Sequence, residues 1–228
     1  MPVEIAGLLE QMEHKTARRM AGMDFYTGEI SGVPCAVSCC WPGKVNAAAC
    51  AQAMITVFGP ALVINSGVAG GIGESVQQGD LVLAERLVEH DMDTTATGEP
   101  KGFVTGPELV YFPADARALA ALREAAAPIY PGGVHVGTVA TGDQFIGSNQ
   151  KMEALRAEFG AIACEMEGAA VAHVCYLNGV PCAVLRTISD NGDDNAAFDF
   201  EAFAGEAAAK STRLLAQLLP RLHAEFPG

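Results

Sequence analysis

Apolar and polar positions along the chain alternate between a two-residue and a 3.6-residue period, and the switches between them outline the fold. A short helix is predicted over Ile5–Glu13. Two strand-like runs, Phe25–Ile30 and Val33–Cys40, are separated by Ser31-Gly32 and read as a hairpin. Val45–Phe58 is an alanine-rich helix, and Ala61–Asn65 is an apolar run that leads into the glycine-rich Gly67-Val68-Ala69-Gly70-Gly71, read as a tight turn. Leu81–Val88 is a strand followed by a long loop-like stretch. A helix over Ala114–Ala126, a strand over Val134–Thr141 and a helix over Gln150–Phe159 with Gly160 as its stop signal come next. The strand Ile162–Glu165, the helix Gly168–Asn178, the strand Cys182–Ser189 and an amphipathic helix Glu201–Leu219 complete the chain. Strands alternating with helices predict a layered α/β fold with a largely parallel sheet, whose ligands bind beyond the carboxyl ends of the strands.

Composition narrows the function. The 228 residues fall within one large domain, half of them are apolar, and no repeat or low-complexity tract divides them. The formal net charge of −13 repels phosphate backbones and anionic lipid, which argues against nucleic-acid and membrane partners. No apolar run approaches the roughly 20 residues of a membrane span, and the opening residues Met1-Pro2-Val3-Glu4 carry no secretory pattern, so a cytoplasmic location is expected. Seven cysteines, an odd number without C-x-x-C spacing, are expected to be reduced and buried.

Candidate chemistry clusters after the strands. Thr141-Gly142-Asp143-Gln144-Phe145-Ile146 follows one apolar run, Glu165-Met166-Glu167 ends a second, and Arg186, Ser189 and Asp190 lie in or after a third. Carboxylates and a guanidinium at the ends of apolar strands carry a desolvation cost, so they are either a paired structural network or a ligand site. The glycine-rich segment is not a dinucleotide fingerprint, because Val76 stands where the third glycine of G-x-G-x-x-G belongs. His90-Asp91-Met92-Asp93 is not read as a metal site, since neighbouring strand residues point to opposite faces. Asp190-Asn191-Gly192-Asp193-Asp194 lacks the ligand alternation of a calcium loop. No metal and no cofactor are implied. His173 is read as a satisfied core histidine, and Cys39 and Cys40 as non-catalytic.

Several segments, in order along the chain, resemble the purine nucleoside phosphorylase/uridine phosphorylase superfamily, and within it the 5′-methylthioadenosine/S-adenosylhomocysteine nucleosidases. They are Gly43-Lys44-Val45-Asn46-Ala47-Ala48, Ile64–Gly71, Gly79-Asp80-Leu81-Val82, His90–Asp93, Ala140–Ile146, Cys164–Ala170 and Val184–Asp190. The resemblance implies a single three-layer nucleoside phosphorylase-like domain, with a mixed central sheet flanked by helices. It also implies hydrolysis of a purine nucleoside's N-glycosidic bond, probed by acid and base from opposite sides.

By resemblance, Asp190 is the acid that protonates the departing base, with a raised pKa and with Ser189 holding it. Glu4 is the water-activating base, and Arg186 helps hold that water. Glu167 grips the ribose hydroxyls, Met166 packs beneath the sugar, and Glu165 is a further substrate-binding residue. Phe145 stacks on the purine while the backbone of Ile146 reads its edge. Val68, Ala69 and Gly70 line the substrate, and Phe203 borders the ribose or its 5′-substituent. The family pattern also places a strand ahead of Met1, and a homodimer is implied. Three alternatives stay open: a phosphorylase, a nucleosidase for another substrate such as futalosine, and a non-catalytic nucleoside-binding protein. Phosphorylases place an arginine just before the glycine-rich segment, where this chain has Ile64-Asn65-Ser66.

Overall fold

The computed structural model describes residues 2–191 and 196–227, with side chains outside 196–202. The chain begins with helix α1 (Pro2–Gln11), a little earlier than its periodicity predicts, and enters a three-stranded antiparallel sheet β1 (Glu13–Met20), β2 (Met23–Ile30) and β3 (Val33–Ser38). The predicted hairpin is β2–β3, closed by Ile30 opposite Val33. Strand β1 was not predicted, for a physical reason. Its side chains are almost all exposed, so no apolar alternation marks it, and backbone pairing to β2 holds it with a Thr16–Thr27 hydroxyl contact of 2.8 Å.

Helix α2 (Lys44–Phe58) ends at Gly59 in the left-handed region, with φ 54°. Then come β4 (Val63–Gly71), β5 (Leu81–Glu89), a single 3-10 turn at Thr95–Thr97, the short β6 (Phe112–Pro113) and α3 (Ala116–Ala126). Asp115 caps α3 by accepting from the backbone N–H groups of Arg117 and Ala118. The remaining elements are β7 (Val134–Thr141), α4 (Asn149–Phe159), β8 (Ala161–Glu165), α5 (Gly168–Asn178), β9 (Cys182–Asp190) and α6 (Ala196–Glu225). Gly160 is the predicted helix stop, left-handed at φ 61°. Among these residues, no helix is long and apolar enough to cross a membrane.

The second sheet has the order β6-β5-β7-β8-β4-β9, and β9 also pairs with β5, which turns five of its strands into a ring. The expectation of a largely parallel sheet is corrected here, while the mixed sheet implied by the resemblance is the one found. β5–β7, β7–β8 and β4–β9 are parallel, whereas β4–β8, β5–β6 and β5–β9 are antiparallel. Helix periodicity cannot report these directions, because each strand is buried whichever way it runs.

The glycine-rich segment is likewise not a turn but the second half of β4, where Gly67 faces Arg186, Val68 faces Thr187 and Gly70 faces Asp190 across the ladder. Its glycines are needed for close approach rather than for a positive φ. A Cβ on Gly67 would lie 2.9 Å from the Arg186 guanidinium and 3.0 Å from the Glu4 carboxylate.

The core falls on both faces of this sheet. One cluster packs α2 and α5 against Val82, Val184 and Ile188; another packs α3 and α6 against Leu81, Leu83 and Leu185. The free edge of β3 and the Val63–Ala69 stretch of β4, which β8 meets only at Gly70 and Gly71, both border an apolar cleft that also takes in Leu8, Leu215 and Phe226. Leu185 is wholly buried in β9, one residue before Arg186. Leu185→Ala is therefore expected to cost about 3 kcal/mol of stability, the range of a leucine truncation in a packed core, measured by urea unfolding.

Candidate functional site

The register of the sheet assembles the site. Thr141 at the end of β7 lies beside Glu165 at the end of β8, and Cys164 next to it lies beside Gly70 of β4. Gly70 in turn lies beside Asp190 at the end of β9. The carboxyl ends of β7, β8 and β9 therefore meet around β4. A cavity of about 700 Å³ opens there and continues into the cleft beside β3. It is lined by Asp190, Ser189, Arg186, Glu4 and Glu167, together with Met166, Phe145 and Ile146. Val68, Ala69, Gly70 and Glu165 complete the set of sequence candidates that the structure brings together.

Phe203 is not brought in. Its position on α6 sets its ring 3.6 Å from where a Cβ of Gly79 would be, with the Lys210 ammonium 5.6 Å from the ring centroid, and it is not among the residues around the cavity. The helix that carries it starts at Ala196 and runs unbroken to Glu225, which lays Phe203 against the turn before β5.

Arg186 is the electrostatic centre of the site, with only 1% of its surface exposed. Its Nε donates to Glu165 Oε2 at 3.2 Å, its Nη2 forms an ion pair with Glu165 and donates to Asn65 Oδ1, and its Nη1 reaches the Leu185 carbonyl at 3.4 Å. Burial disfavours its charge, but Glu165 and Glu167 more than offset that and raise its pKa. Glu165 accepts from Thr141 Oγ1 through Oε1, and from the backbone N–H groups of Glu167 and Gly168 through Oε2, at 3.0 and 2.7 Å. Burial raises the Glu165 pKa; the Arg186 charge and these hydrogen bonds outweigh it and hold the carboxyl below its usual range. Both of its oxygens thus accept from protein groups, Oε1 from Thr141 and Oε2 from Arg186 and the start of α5.

Glu167, at the start of α5, is placed differently. Its Oε1 accepts from the Gly43 N–H at 3.3 Å and its Oε2 lies 3.8 Å from Arg186 Nη2. Burial, and then the charge of Glu165, push its pKa up to about 7. Asp190 is buried, and Ser189 Oγ donates to its Oδ2 at 2.8 Å. Glu4 reaches in from α1, where its Oε1 accepts from the Val68 N–H at 3.2 Å. Phe145 is half exposed at the cavity, and Ile146 is buried behind it.

Three supporting roles escaped the sequence reading, although all three residues lie in segments it singled out. Asn65 anchors Arg186, Thr141 anchors Glu165, and Lys44 anchors the loop that donates to Glu167. Lys44 Nζ lies 3.2 Å from Glu89 and 2.7 Å from Asp91, its backbone N–H donates to Asp143 at 2.8 Å, and Asp91 Oδ2 accepts from the Asp143 N–H. The usable signal was the i, i+2 spacing of Glu89 and Asp91, which puts both carboxylates on one face of the strand end. The segment His90–Asp93 thus serves an ion pair, and among the described residues no group of three or more His, Cys, Asp or Glu is arranged to hold a metal. Of the segment weighed as a calcium loop, 192–194 lie outside the described residues. His173 is a paired core residue, bonded to Glu89 at 2.9 Å and stacked on Phe112. All seven cysteines are free thiols.

Removing the negative partner of a buried cation is among the costliest single changes a core allows. Glu165→Gln is expected to lower stability by about 3–5 kcal/mol in chemical denaturation, whereas exchange of the exposed Glu158 by Gln should change it by less than about 1 kcal/mol.

Comparison with known proteins gives the family. The model of the phosphorylase superfamily matches residues 1–220. A 5′-methylthioadenosine/S-adenosylhomocysteine nucleosidase of Shewanella halifaxensis is 34% identical over 97% of this chain and 96% of its own length. An aminodeoxyfutalosine nucleosidase of Helicobacter pylori is 41% identical over a shorter match, 79% of this chain and 77% of the relative. The crystal structure of the Neisseria meningitidis 5′-methylthioadenosine/S-adenosylhomocysteine nucleosidase in complex with methylthio-immucillin-A superposes with a TM-score of 0.93 at 33% identity, covering 97% of this chain and 96% of that one. With a family model matched over nearly its whole length and relatives of this similarity, the chain belongs to the phosphorylase superfamily.

Proposed function

We propose that the protein hydrolyses the N-glycosidic bond of 5′-methylthioadenosine and S-adenosylhomocysteine, releasing adenine and the corresponding thioribose. The observation that carries hydrolysis over phosphorolysis is the charge of the cavity. Among its described lining residues, Arg186 is the one arginine or lysine, and it is already paired with Glu165, while the Glu4 and Glu167 carboxylates stand beside it. A phosphate dianion entering that cavity would meet repulsion, whereas water meets only acceptors and a guanidinium edge.

In this reading Asp190 is the general acid. Breaking the bond to the base builds negative charge on the purine and positive charge on the ribose, and a carboxyl held by Ser189 in a buried site can give its proton to the purine ring nitrogen. Glu4 is the general base. Gly67 leaves room for the Glu4 carboxylate and the Arg186 guanidinium to approach the same point, so a water there is polarised by one and deprotonated by the other. The ionised carboxylate of Glu167 accepts from the ribose hydroxyls, Met166 lies under the sugar, and Phe145 stacks on the purine. The chemistry needs neither a metal nor a cofactor. The same reading takes the chain as one domain of a cytoplasmic homodimer. Supporting the dimer, Trp41, Val45 and Phe145, on segments that border the cavity, leave large apolar side chains exposed, with Val45 at 79%.

Adenine release from 5′-methylthioadenosine, followed by chromatography with and without phosphate, tests the reaction. Equal release with a free thiosugar as co-product supports hydrolysis, and release only with phosphate overturns it. Aminodeoxyfutalosine belongs in the same assay, because the H. pylori aminodeoxyfutalosine nucleosidase has the higher identity over its shorter match; faster turnover of that substrate would reassign the specificity. Asp190→Asn and Glu4→Gln should each lower kcat by about 10²–10⁴-fold.

The raised pKa of Glu167 gives a pH test with a definite sign. Its folded-state value lies above the ordinary carboxylate range, so the carboxylate form grows in as pH rises through about 7. Binding that needs the carboxylate must therefore strengthen over the same interval. In the Asp190→Asn background, where turnover is suppressed, the Kd for 5′-methylthioadenosine by calorimetry should fall roughly tenfold from pH 6 to pH 8. Added Glu167→Gln should weaken binding and flatten that dependence.

A further inference from the structure

His90 stands between the two carboxylates that hold Lys44, Glu89 and Asp91, yet takes no part in that network. It follows the last residue of β5, and its N–H donates to the Thr141 carbonyl at 2.9 Å, just past the final β5–β7 pair. Only 6% of the residue is exposed, and its Nε2 has no hydrogen-bond partner among the described residues. The ring edge instead faces the backbone of Gly142. A Cβ on Gly142 would lie 2.5 Å from His90 Cε1, 2.9 Å from Cδ2 and closer still to Nε2, well inside the separation of packed atoms. Gly142 is not among the glycines of positive φ, so its backbone geometry would accept another residue. The imidazole is what forbids one.

That contact falls where the chain leaves β7 for the cavity. The Gly142 N–H donates to the Glu165 carbonyl at 3.1 Å, and Asp143 is tied on both sides, to the Lys44 N–H and to Asp91. Two residues beyond Asp143 is Phe145, half exposed at the cavity, and Ile146 then packs with Ile72, Val88 and Ala140. A packed interior has little slack, so a ring set edge-on against Gly142 blocks the segment from moving inward. Burial is the main cause that holds the His90 pKa below the ordinary histidine value; Asp91 opposes it, and Lys44 and Lys101 reinforce it. The ring is therefore neutral at neutral pH and imposes no unpaired charge on the segment it supports.

We propose that His90 is a positioning residue for purine recognition, whose imidazole edge fills the side-chain space of Gly142 and so sets the path of residues 142–146. The inference rests on the nucleoside reading for its ligand, because Phe145 and Ile146 are the residues assigned there to the purine. His90 is not among the residues around the cavity and acts only through the segment it buttresses. Without the ring, Gly142 gains room to relax into the vacated space. The aromatic must then be ordered each time a purine binds, which lowers affinity. Asp190 and Glu4 keep supports on other elements, the Ser189 hydroxyl and the Val68 N–H. The loss is therefore expected in KM for 5′-methylthioadenosine more than in kcat.

Amide hydrogen exchange and calorimetric adenine binding, on the whole chain carrying His90→Ala, Gly142→Ala or both, form the test. In the ligand-free protein His90→Ala should speed exchange over residues 142–146 roughly tenfold, and it should raise the adenine Kd by a similar factor. Gly142→Ala should raise that Kd further, because a methyl group and the ring cannot share one space. Adding His90→Ala to it should bring the Kd back to that of His90→Ala alone, a rescue that a general loss of stability does not give. Unchanged exchange in His90→Ala, or a double variant as weak as its two changes multiplied, would overturn the proposal. So would weakened binding of 5′-methylthioadenosine with adenine binding intact, which would trace the effect to the ribose carboxylate instead. An unmutated protein that binds no adenine overturns the nucleoside reading itself, a result separate from variants that bind it normally. Should Gly142→Ala fail to fold, recovery of the fold in the double variant reads the same coupling, and no recovery counts against it.

Discussion

The Arg186–Glu165 ion pair is the interaction around which the rest of the site is arranged. Removing two charges from water has a cost of several kcal/mol per ion, and mutual attraction alone does not reliably repay it. Here the deficit is covered by further donors and acceptors, each from a different element: Asn65 from β4, Thr141 from β7, and the first N–H groups of α5. The last of these matter twice over, because the start of a helix carries unsatisfied N–H groups and a partial positive charge that a carboxylate answers. One ion pair thereby fixes the relative positions of β4, β7, β8, β9 and α5. The same requirement explains the glycine at 67, since any side chain there would displace the guanidinium.

Two glutamates one residue apart end with different chemical characters, and the difference is one of supply. Glu165 is surrounded by donors and stays ionised; Glu167, at the N-terminal position of the same helix, receives a single 3.3 Å bond from Gly43 and the repulsion of Glu165. A carboxylate left with free acceptor capacity beside a cavity can accept from hydroxyls that a ligand brings, whereas a saturated one cannot. The network thus engages Glu165 with the protein far more fully than Glu167.

Much of this was legible in the chain and some was not, and the dividing line is physical. Helices α2, α4 and α5 and strands β7 and β8 announce themselves through apolar periodicity and stop signals such as Gly160, and their bounds agree with the periodicity to within a residue. The location of Glu165, Arg186 and Asp190 at the ends of apolar runs was likewise readable as buried charge in need of partners. Strand direction was not, because a strand buried on both faces has the same composition in either orientation, and β1 was invisible because it buries nothing. The glycine-rich stretch misled for a related reason. Glycine marks both turns and close approaches, and only the partner across the ladder, Arg186 opposite Gly67, says which is meant. Partners distant in sequence, such as Asn65 with Arg186, leave no local trace at all.

The Lys44 network shows how a loop without regular structure can be as well placed as a strand. The chain leaves β3 and turns at Gly43, with φ 102°, into α2, a helix whose start has no side-chain cap of its own. Asp143 supplies that role from the loop after β7 by accepting from the Lys44 N–H, and Asp91 in turn accepts from the Asp143 N–H. The Lys44 ammonium closes the circuit on Asp91 and Glu89, and His173 of α5 occupies the remaining oxygen of Glu89. Burial works against the lysine's charge, but the two carboxylates outweigh it, so the ammonium stays protonated and the circuit stays closed through neutral pH. Each link joins a different strand end, so the Gly43 N–H is held by β5, β7 and α5 together rather than by its own short loop. A donor positioned in that way loses little freedom when it bonds to Glu167, and preorganisation of this kind, more than the strength of any one bond, is what lets a shallow loop orient a carboxylate for a ligand.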